Sequence, residues 1–476
     1  MLDTGRKQEM MDALAKQKAA QIRDGIPSEQ IRKDRIDRAI ALLVDHREAL
    51  GEAMSADFGH RSQVTNDMAD IMGSVKSLKN TRKNLGGWMK PEKRSIDFPL
   101  NMFGAKGHVH NVPKGTVGIL APWNFPVAMV FQPLACVLGA GNRAMIKPSE
   151  FTESTSALLE SLIPQYFDPE EIEVFTGGPD VGAAFTQLDL DHIVFTGATG
   201  IAKHVMRAAA DNLVPLTLEL GGKSPAILGR DADMEKAAKR IMAGKTMNAG
   251  QICLAPDYAL TPHDKTGEFV DHAIASVAEM YPTLRDNDDY TSIINQRHWD
   301  RLQGYLEDAR DKGGEVIEIN PAGENFTQQP HRKMAPHIVL NPTDDMLVMT
   351  EEIFGPILPV KDYKVIDDAI GHVNANARPL GLYYFGGDSE AERVVNSTTS
   401  GGVTINDVIF HVANDELPFG GIGPSGMGHY HGVEGFREMS HQKSVYRQTG
   451  IEKVMAMTRP PYGKAILGQI NSTIKK

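Results

Sequence analysis

The sequence predicts an α/β protein of two large domains joined by a smaller strand-rich element. Its 476 residues are more than one hydrophobic core usually organises. Beyond Gly115, five short apolar segments alternate with helical stretches: TVGILA, RAMIK, EVFTG, HIVFTG and PLTLEL. This alternation is typical of parallel strands linked by crossover helices. It predicts a Rossmann-type sheet, which binds its ligand beyond the carboxyl ends of the strands.

The remaining segments complete the predicted fold. After Ser28, which is placed as an N-cap, apolar residues from Ile36 to Leu50 recur at helical spacing and predict one amphipathic helix. We expect a nucleotide-binding domain over 1–92 and 110–220. A second α/β domain is expected over 221–422, where HIVLNP and GGVTIN are strand-like.

A bridging β-hairpin is expected from two separated parts of the chain, 93–109 and 440–458. The strand-like segment SHQKSVYRQTG in the later part has two candidate partners. It pairs either with the early hairpin or with a neighbouring subunit.

Composition excludes several classes of protein. Hydrophobic residues make up 41% and charged residues 23%, which is typical of a folded globular chain. A net charge of -11 argues against a nucleic-acid partner. Two cysteines cannot build a disulfide framework and favour a cytoplasmic location. The start, MLDTGRKQEM, lacks the apolar run of a signal peptide, and no apolar run reaches spanning length, so we expect no membrane partner.

The two cysteines lie in different surroundings. Cys136 falls within the apolar helical run FQPLACVLGAG and is expected in the core. Cys253 lies in NAGQICLAPD, between Gly250 and Pro256, where regular structure is interrupted. A loop there would expose the thiol to backbone N–H groups and lower its pKa, as a nucleophile requires, although a buried inert thiol is the alternative.

Two polar residues at predicted strand ends are candidates for catalysis. Asn124 follows the first strand in GILAPWNFP, where it either caps a helix or donates its amide to an oxyanion. Glu219 lies within the apolar strand of LTLELGGKSP. A carboxylate in a buried strand is costly, so it is either a salt-bridged structural residue or a general base.

Other motifs indicate a bound nucleotide. Lys147 and Glu150, in MIKPSE, lie where the adenosine ribose of a dinucleotide is expected, unless they are ordinary solvated charges. FTGATG opens a helix whose N-terminus favours an anion. In EEIFGP, Glu352 and Phe354 could contact a ribose and a flat ring. No acidic or cysteine cluster accompanies the histidines of GMGHYHG, so we assign no metal.

Together these segments resemble the NAD(P)-dependent aldehyde dehydrogenase superfamily, from about Ser28 to Val445. The resemblance rests on seven motifs in order: PWNFP, KPSE, FTGATG, LELGGKSP, GQICLAPDY, EEIFGP and PFGGIGPSGMG. APDY, SGGVTIND and SGMGHYHG are most similar to the class 3 branch, and within it to the bacterial coniferyl aldehyde dehydrogenases. The fold implied is a nucleotide-binding domain, a catalytic domain and a bridging hairpin that makes a homodimer.

The resemblance also implies roles for single residues. Cys253 would be the nucleophile, Glu219 the general base and Asn124 an oxyanion donor. The positions that match cofactor contacts are Trp123, Lys147, Glu150, Gly197, Ala198, Thr199, Gly200, Leu220, Glu352 and Phe354. Ala198 departs from the serine or asparagine that many members carry. The apolar neighbours of the nucleophile, Ile252 and Leu254, are expected to wall an aldehyde tunnel.

The activity implied is oxidation of a small-molecule aldehyde, aromatic such as coniferyl aldehyde or medium- to long-chain aliphatic, to its acid. The expected cofactor is NAD, which Glu150 favours, with NADP as the alternative. Two rival functions are an acyl-transferring, CoA-acylating dehydrogenase of the same fold and a cofactor-binding protein without catalysis. Glu219 argues against the first, because the resemblance implies that acyl-transferring relatives generally lack this base, and the joint presence of Cys253, Glu219 and Asn124 argues against the second.

Overall fold

The computed structural model describes residues 4–475, in which three β-sheets are flanked by helices. Residues 1–3, at the start of the predicted nucleotide-binding domain, lie outside this range. The strands are β1 (Glu92–Arg94), β2 (Lys106–Pro113), β3 (Thr116–Leu120), β4 (Arg143–Lys147), β5 (Ile172–Val174), β6 (His192–Gly197), β7 (Leu216–Leu220), β8 (Pro225–Leu228), β9 (Tyr258–Pro262), β10 (Glu315–Glu318), β11 (His337–Leu340), β12 (Ile357–Tyr363), β13 (Gly381–Phe385), β14 (Gly402–Ile405), β15 (Gly426–Met427) and β16 (Ser440–Arg447).

Helices pack on the sheets throughout the chain. The α-helices are α1 (Thr4–Asp24), α2 (Glu29–Asp45), α3 (Arg47–Phe58), α4 (Gln63–Thr65), α5 (Gly73–Trp88), α6 (Ala128–Ala140), α7 (Glu153–Tyr166), α8 (Pro179–Thr186), α9 (Thr199–Ala210), α10 (Met234–Thr246), α11 (Thr266–Met280), α12 (Gln296–Asp311), α13 (Leu347–Thr350), α14 (Ile366–Ala375), α15 (Asp388–Ser397), α16 (Gly432–Glu438), α17 (Glu452–Met455) and α18 (Lys464–Ile474). A π-helical segment covers Asn66–Met72, and short 3₁₀ segments cover Leu100–Phe103, Met247–Gly250, His263–Lys265 and Ala456–Thr458.

The first sheet has the order β15-β7-β6-β3-β4-β5. Its five strands from β3 to β7 are mutually parallel, while the short β15 runs antiparallel to β7. These are the five apolar segments of the sequence, and α6, α7, α8 and α9 are the helices that connect them. The predicted Rossmann-type sheet is therefore confirmed. Because the strands are parallel, their carboxyl ends meet at one edge.

A buried ion pair supports the loop that follows β3. Asp70, in the π-helical segment, accepts hydrogen bonds from the backbone N–H groups of Val127 (3.0 Å) and Ala128 (2.9 Å) at the start of α6. Its other oxygen accepts from Arg61 Nη1 at 2.8 Å. The Arg61 guanidinium lies over the ring of Phe125, 5.1 Å from its centroid. The ion pair therefore holds the PWNFP segment through the start of α6 and the ring of Phe125.

The second sheet has the order β10-β11-β12-β9-β8-β13-β14. It is parallel except for β10, which runs antiparallel to β11 at one edge. Its strands include the predicted HIVLNP and GGVTIN segments as β11 and β14. The second α/β unit is thus present, while the domain boundaries themselves stay a prediction.

The third sheet has the order β1-β2-β16 and is antiparallel. Strand β16 pairs with β2 along its whole length, from Ser440 opposite Pro113 to Arg447 opposite Lys106. Of the two partners considered for SHQKSVYRQTG, the structure shows pairing with the early hairpin. The other edge of β16 has no strand beside it among residues 4–475.

One helix prediction needs correction. Ser28 caps α2 as expected, since its Oγ accepts from the N–H of Ile31 at 3.3 Å. The single helix predicted from there to Leu50 is instead two helices, α2 and α3, separated at His46. His46 leaves helical geometry (φ -112°, ψ 20°) although the apolar spacing continues through it, so periodicity alone gave no sign of the break.

No helix within the described part of the chain is long and apolar enough to span a bilayer.

Candidate active site

Four segments carry the three predicted catalytic side chains and Glu352, a predicted cofactor contact. Asn124 follows β3, Glu219 lies near the end of β7, Cys253 follows α10 and Glu352 follows α13. The first two belong to the first sheet, and the other two belong to connections of the second. The candidate site is therefore built from segments of both sheets.

The nucleophile loop, Met247–Asp257, begins with a sharp turn. Asn248 (φ 49°), Ala249 (φ 52°) and Gly250 (φ 72°) are successive residues in the left-handed region. At Gly250 a Cβ would lie 2.3 Å from the carbonyl oxygen of Gly355, so only glycine fits. This turn redirects the chain after α10 and presents Cys253 to the site.

Gln251 fixes the nucleophile loop, a role that sequence reasoning missed. Its fully buried Nε2 donates to the carbonyls of Asn248 and Ser292, both at 3.0 Å, and its Oε1 accepts from the N–H of Ile294 at 3.0 Å. Its own carbonyl accepts from Asn124 Nδ2 at 3.2 Å. In the sequence, Gln251 stands out only as a long amide side chain among small and apolar residues. Two of its partners, Ser292 and Ile294, lie about forty residues away.

Cys253 is partly exposed, yet its thiol is held neutral. Burial of the sulfur raises the pKa of the thiol well above 9, and the nearby carboxylates of Glu219 and Glu352 raise it further. Its own backbone N–H opposes this shift. The expectation of a lowered thiol pKa is therefore wrong for this arrangement, because the sulfur is buried and two acidic side chains from distant segments face it.

Glu219 has the environment of a base poised near neutrality. Its side chain is 2% exposed, and neither carboxylate oxygen has a hydrogen-bond partner of ordinary geometry within residues 4–475. Burial raises the pKa of Glu219 to about 7, and the adjacent Cys253 thiol lowers it slightly. The salt-bridged alternative does not apply. An acid with this pKa is able to take up a proton at physiological pH.

Asn124 is buried and oriented by the nucleophile loop. One N–H of its amide donates to the Gln251 carbonyl at 3.2 Å, which leaves the second N–H available to an oxyanion. It does not cap α6, because Asp70 accepts from the first N–H groups of that helix. Of the two roles considered for Asn124, the geometry favours the oxyanion donor.

Glu352 lies against the glycine pair that follows Glu219. A Cβ on Gly221 would lie 2.1 Å from Glu352 Oε1, so this approach requires glycine. Burial raises the pKa of Glu352 to about 8, with a further contribution from Asp257, while the N–H of Gly222 opposes it. Oε1 has no hydrogen-bond partner in the described chain. The atom is free to accept from a ligand hydroxyl.

Phe354 adopts a left-handed conformation (φ 47°) and packs edge-on against Trp123, with 5.3 Å between ring centroids. Trp123 also contacts Phe58 at 6.1 Å and His298 at 5.1 Å. These rings form an aromatic cluster beside the PWNFP segment.

The other predicted cofactor positions lie along the carboxyl edge of the first sheet. Lys147, the last residue of β4, donates to Glu150 Oε2 at 3.0 Å. Gly197–Gly200 joins β6 to the start of α9, where no side chain caps the helix. A Cβ on Gly197 would clash with the Phe195 ring at 2.8 Å, whereas Gly200 faces open space. Leu220 is buried at the end of β7, where its N–H donates to the Ser425 carbonyl at 3.1 Å.

The two predicted tunnel residues are buried. Ile252 and Leu254 belong to the main hydrophobic core. The side chain of Leu254 packs against Gly381, and its carbonyl accepts from Tyr383 Oη at 2.5 Å. They support the nucleophile loop, and their role as tunnel walls stays a prediction.

An ion pair that sequence reasoning also missed joins three loops. Lys223 forms an ion pair with Asp257 and also donates to the carbonyls of Val348 (2.8 Å) and Glu351 (2.9 Å). The other oxygen of Asp257 accepts from the N–H of Ile353 at 3.1 Å. The motifs GGKSP, APDY and EEIFGP are therefore physically linked.

These features agree with the comparisons with known proteins. The model of the aldehyde dehydrogenase family matches residues 3–445. The chain belongs to the aldehyde dehydrogenase family. It is therefore an oxidoreductase that acts on aldehydes, and the recognition based on motifs is confirmed.

Similar aldehyde dehydrogenases cover nearly the whole chain. A probable coniferyl aldehyde dehydrogenase of Caulobacter vibrioides is 57% identical over 98% of this chain and 97% of its own. A coniferyl aldehyde dehydrogenase of a Pseudomonas species is 52% identical over 98% and 96%. Aldehyde dehydrogenase family 3 member A2 of mouse is 38% identical over 85% and 82%, in line with the class 3 resemblance.

Solved structures support the same fold. A substrate-bound Staphylococcus aureus AldH has a TM-score of 0.90 and 34% identity, with each chain covered completely. A Mycobacterium tuberculosis aldehyde dehydrogenase complexed with NAD+ has a TM-score of 0.83 and 26% identity over 94% of this chain and 91% of its own.

Replacement of Glu219 tests the coupling between the base and the thiol. Because the Glu219 charge raises the pKa of Cys253, Glu219→Gln should speed iodoacetamide labelling of Cys253 about tenfold at pH 8, which corresponds to a drop of about one pKa unit. Glu219 itself has a pKa of about 7, so the two proteins should converge below pH 6, where the acid is neutral. The rates are measured by mass spectrometry.

Cys253→Ala supplies the background, since burial raises the pKa of Cys136 to about 12 and keeps that thiol inert. Slower labelling of Glu219→Gln at pH 8 would contradict the coupling and make Glu219 the acceptor of the thiol proton.

Proposed function

We propose that this aldehyde dehydrogenase oxidises coniferyl aldehyde and related aromatic aldehydes to their acids, with NAD as the cofactor. Medium- and long-chain aliphatic aldehydes are the second substrate class. The observation that carries the proposal is the convergence of Cys253, Glu219 and Asn124 in one buried site. Three relatives that are 46–57% identical bear the name coniferyl aldehyde dehydrogenase, two of them as probable.

The thiol borders an apolar core, which suits an apolar substrate. Cys253 packs against the main hydrophobic core, as do the half-buried side chains of Met129, Met247, Ile409 and Val412. Methionine sulfur interacts favourably with aromatic rings, and its flexible side chain adapts to their shape. Apolar walls discriminate weakly between similar substrates, which leaves room for aliphatic aldehydes.

Each chain residue has a defined part in the proposed mechanism. Cys253 releases its proton to solvent and its sulfur bonds to the carbonyl carbon, while the Asn124 amide and the Cys253 N–H stabilise the oxyanion, each by about 3 kcal/mol. A bound NAD would supply the hydride acceptor. Glu219 then takes a proton from the water that attacks the thioester on Cys253, and the acid is released.

The residues of the proposed cofactor site fit NAD. The unpartnered Glu352 Oε1 is suited to a ribose hydroxyl group, and the uncapped start of α9 is suited to the pyrophosphate. The Glu150 carboxylate would accept hydrogen bonds from the hydroxyl groups of the adenosine ribose and would repel a 2′-phosphate. NADP is the alternative, since Lys147 pairs with Glu150 and offsets part of its charge.

Hydrolysis is favoured over transfer of the acyl group to CoA. An acyl-transferring enzyme has no need of a base that activates water, whereas Glu219 is held beside the thiol with a pKa of about 7. A cofactor-binding protein without catalysis would have no use for an unpaired buried acid, which costs stability.

We also propose a cytoplasmic homodimer. Both cysteines are free thiols, as a reducing compartment requires, and fractionation of cells into cytoplasm and envelope would test the location. Strand β16 presents an open edge with Val445 38% and Tyr446 49% exposed. Exposed edge strands pair with other chains unless they are protected. We therefore place β16 at the dimer interface.

Sedimentation of the purified protein tests the dimer. We expect a mass near twice 52.0 kDa, and a shift toward the monomer when Val445 and Tyr446 are both replaced by lysine. Lysines at Glu452 and Met455, in α17, serve as the control and should leave the mass unchanged. A monomeric wild-type protein would refute the proposal.

The activity is tested by mixing the protein with NAD and coniferyl aldehyde. We expect NADH and the corresponding carboxylic acid in equal amounts, followed by absorbance and chromatography. Cys253→Ala should abolish both, while Cys136→Ala, in the core, should retain turnover. Absence of NADH with every aldehyde of an aromatic and aliphatic panel would reject the function, and a requirement for CoA would favour acyl transfer.

The role of Glu219 is tested before the steady state. Glu219→Gln should release about one NADH per Cys253 and then stall with the acyl group on sulfur, because water is no longer activated. Rapid-mixing absorbance and intact mass spectrometry detect these two signs. Unchanged steady turnover would remove Glu219 from its role.

A further inference from the structure

A surface cavity on the second α/β unit lies outside the candidate active site. Its volume is about 460 Å³, which is within the range of cavities that bind small molecules. One side is formed by α12, and the other by the segment 326–337 that leads into β11. None of the described residues that line it has a part in the proposed mechanism or in the proposed cofactor site. The cavity is therefore a candidate for a second binding site.

One face of α12 is turned toward the cavity. Gln296, Trp299, Gln303 and Arg310 all line it, and their spacing of three, four and seven positions places them on the same side of the helix. Leu302, on another side, is fully buried in the core. The helix thus presents to the cavity an aromatic ring, two amides and a guanidinium group.

The cavity has an aromatic and apolar part. The rings of Trp299 and Phe326 come from its two sides and are half-buried, while Met334 and Ala335 are almost fully buried. Trp299 and Phe326 also pack against buried core residues, which restrains both rings. Restrained aromatic walls favour a flat ligand that contains a ring, because such a ligand stacks on them.

Several hydrogen-bond donors in the cavity have no partner. The guanidinium group of Arg310, the amide of Gln303 and the indole N–H of Trp299 make no hydrogen bond with residues 4–475. Arg332 uses its Nε and Nη2 on backbone carbonyls, but its Nη1 donates to no group in the described chain. Unpartnered donors on both sides of the cavity favour a ligand with acceptor oxygens.

The charge of the lining limits the charge of the ligand. Among the described residues that line the cavity, Arg310 and Arg332 are the cations and Glu318 is the anion. Burial lowers the pKa of His337 below 6.5, so this fourth titratable residue is neutral at pH 7. The lining thus carries one net positive charge. A single carboxylate balances it, whereas a doubly charged phosphate would exceed it and be repelled by Glu318.

Arg332 connects the cavity to the nucleophile loop. It adopts a left-handed conformation (φ 52°), and its Nη2 donates to the carbonyls of Ile294 (3.0 Å) and Phe58 (3.1 Å). The N–H of Ile294 donates in turn to Gln251 Oε1 at 3.0 Å. Ile294 therefore lies directly between Arg332 and the residue that fixes the nucleophile loop. An anion bound by Arg332 would compete with these carbonyls and loosen the loop.

We propose that this cavity is a regulatory site for a flat aromatic ring that bears one carboxylate, and that its occupant lowers turnover through Arg332. The ring packs between Trp299 and Phe326, and the carboxylate accepts hydrogen bonds from Arg310 and from Nη1 of Arg332. The inference goes beyond the proposed function, because the chemistry of the cavity selects the ligand. The acid that corresponds to coniferyl aldehyde, 4-hydroxy-3-methoxycinnamate, belongs to this class and serves as the probe.

Fluorine NMR of the full chain labelled with 5-fluorotryptophan tests binding without turnover. The chain has three tryptophans: Trp299 in the cavity, Trp123 in the aromatic cluster of the candidate active site, and Trp88, which packs against Phe436. With NAD+ present, the probe should shift the signal that Trp299→Phe removes, with a dissociation constant of about 1 mM or below. The Trp88 signal should stay in place. Movement of the Trp123 signal alone, or of no signal, would overturn the proposal.

Recognition of the carboxylate is tested in the same titration. Arg310→Met should raise the dissociation constant about tenfold, and so should replacement of the probe by its neutral amide. Arg297→Met is the matched control, since Arg297 is exposed on the same helix but does not line the cavity. Equal affinity for acid and amide, or unchanged affinity in Arg310→Met, would refute the proposal. Tighter binding of adenosine monophosphate than of the acid would make the cavity a nucleotide site instead.

The regulatory effect is measured with NAD+ and an aliphatic aldehyde, both at saturation. The acid should lower kcat of the wild type about fivefold, over the concentrations that shift the Trp299 signal. The same concentrations should leave kcat of Arg310→Met at its value without acid. An equal fall in both proteins would locate the effect in the active site. A constant kcat in the wild type with the cavity filled would remove the regulatory role.

Discussion

The hydrogen bonds of Gln251 hold the whole site in place. Three successive left-handed residues bring the chain out of α10, a conformation that persists only when its surroundings enforce it. The buried Gln251 amide does so by joining the nucleophile loop to the segment around Ser292 and Ile294. Its carbonyl in turn orients Asn124. The nucleophile and the oxyanion donor are thus fixed by one residue between them.

Desolvation then sets the chemistry of the fixed groups. Burial raises the pKa of each acidic group in the site, to about 7 at Glu219, to about 8 at Glu352 and well above 9 at Cys253. The charges of Glu219 and Glu352 raise the pKa of Cys253 further, and the charge of Glu219 raises that of Glu352. Any cation placed beside Cys253 would lower the pKa of the thiol by the same Coulomb interaction that now raises it.

Sequence reasoning predicted what depends on local pattern. The five strands of the first sheet follow from apolar runs between helices, and Cys253, Glu219 and Asn124 follow from polar residues at strand ends and loops. It failed where distant segments meet. The pKa of Cys253 depends on Glu219 and Glu352, which lie more than thirty positions away, so its local sequence gave the wrong direction.

The partners of Gln251 and the pairing of Lys223 with Asp257 were beyond prediction for the same reason. Each depends on which loops the two sheets bring together. The break at His46 differs, because it interrupts a helical pattern without changing its period. The spacing of apolar residues predicts which face of a helix is buried, but it does not reveal a short break in the helix.

The contrast between buried acids separates structural from functional residues in this fold. Asp70 is fully buried, but both of its oxygens are occupied, by Arg61 and by the first N–H groups of α6. Glu219 is equally buried and neither of its oxygens is satisfied. Since burying an unpaired polar group costs stability, the fold tolerates Glu219 only beside the reacting sulfur.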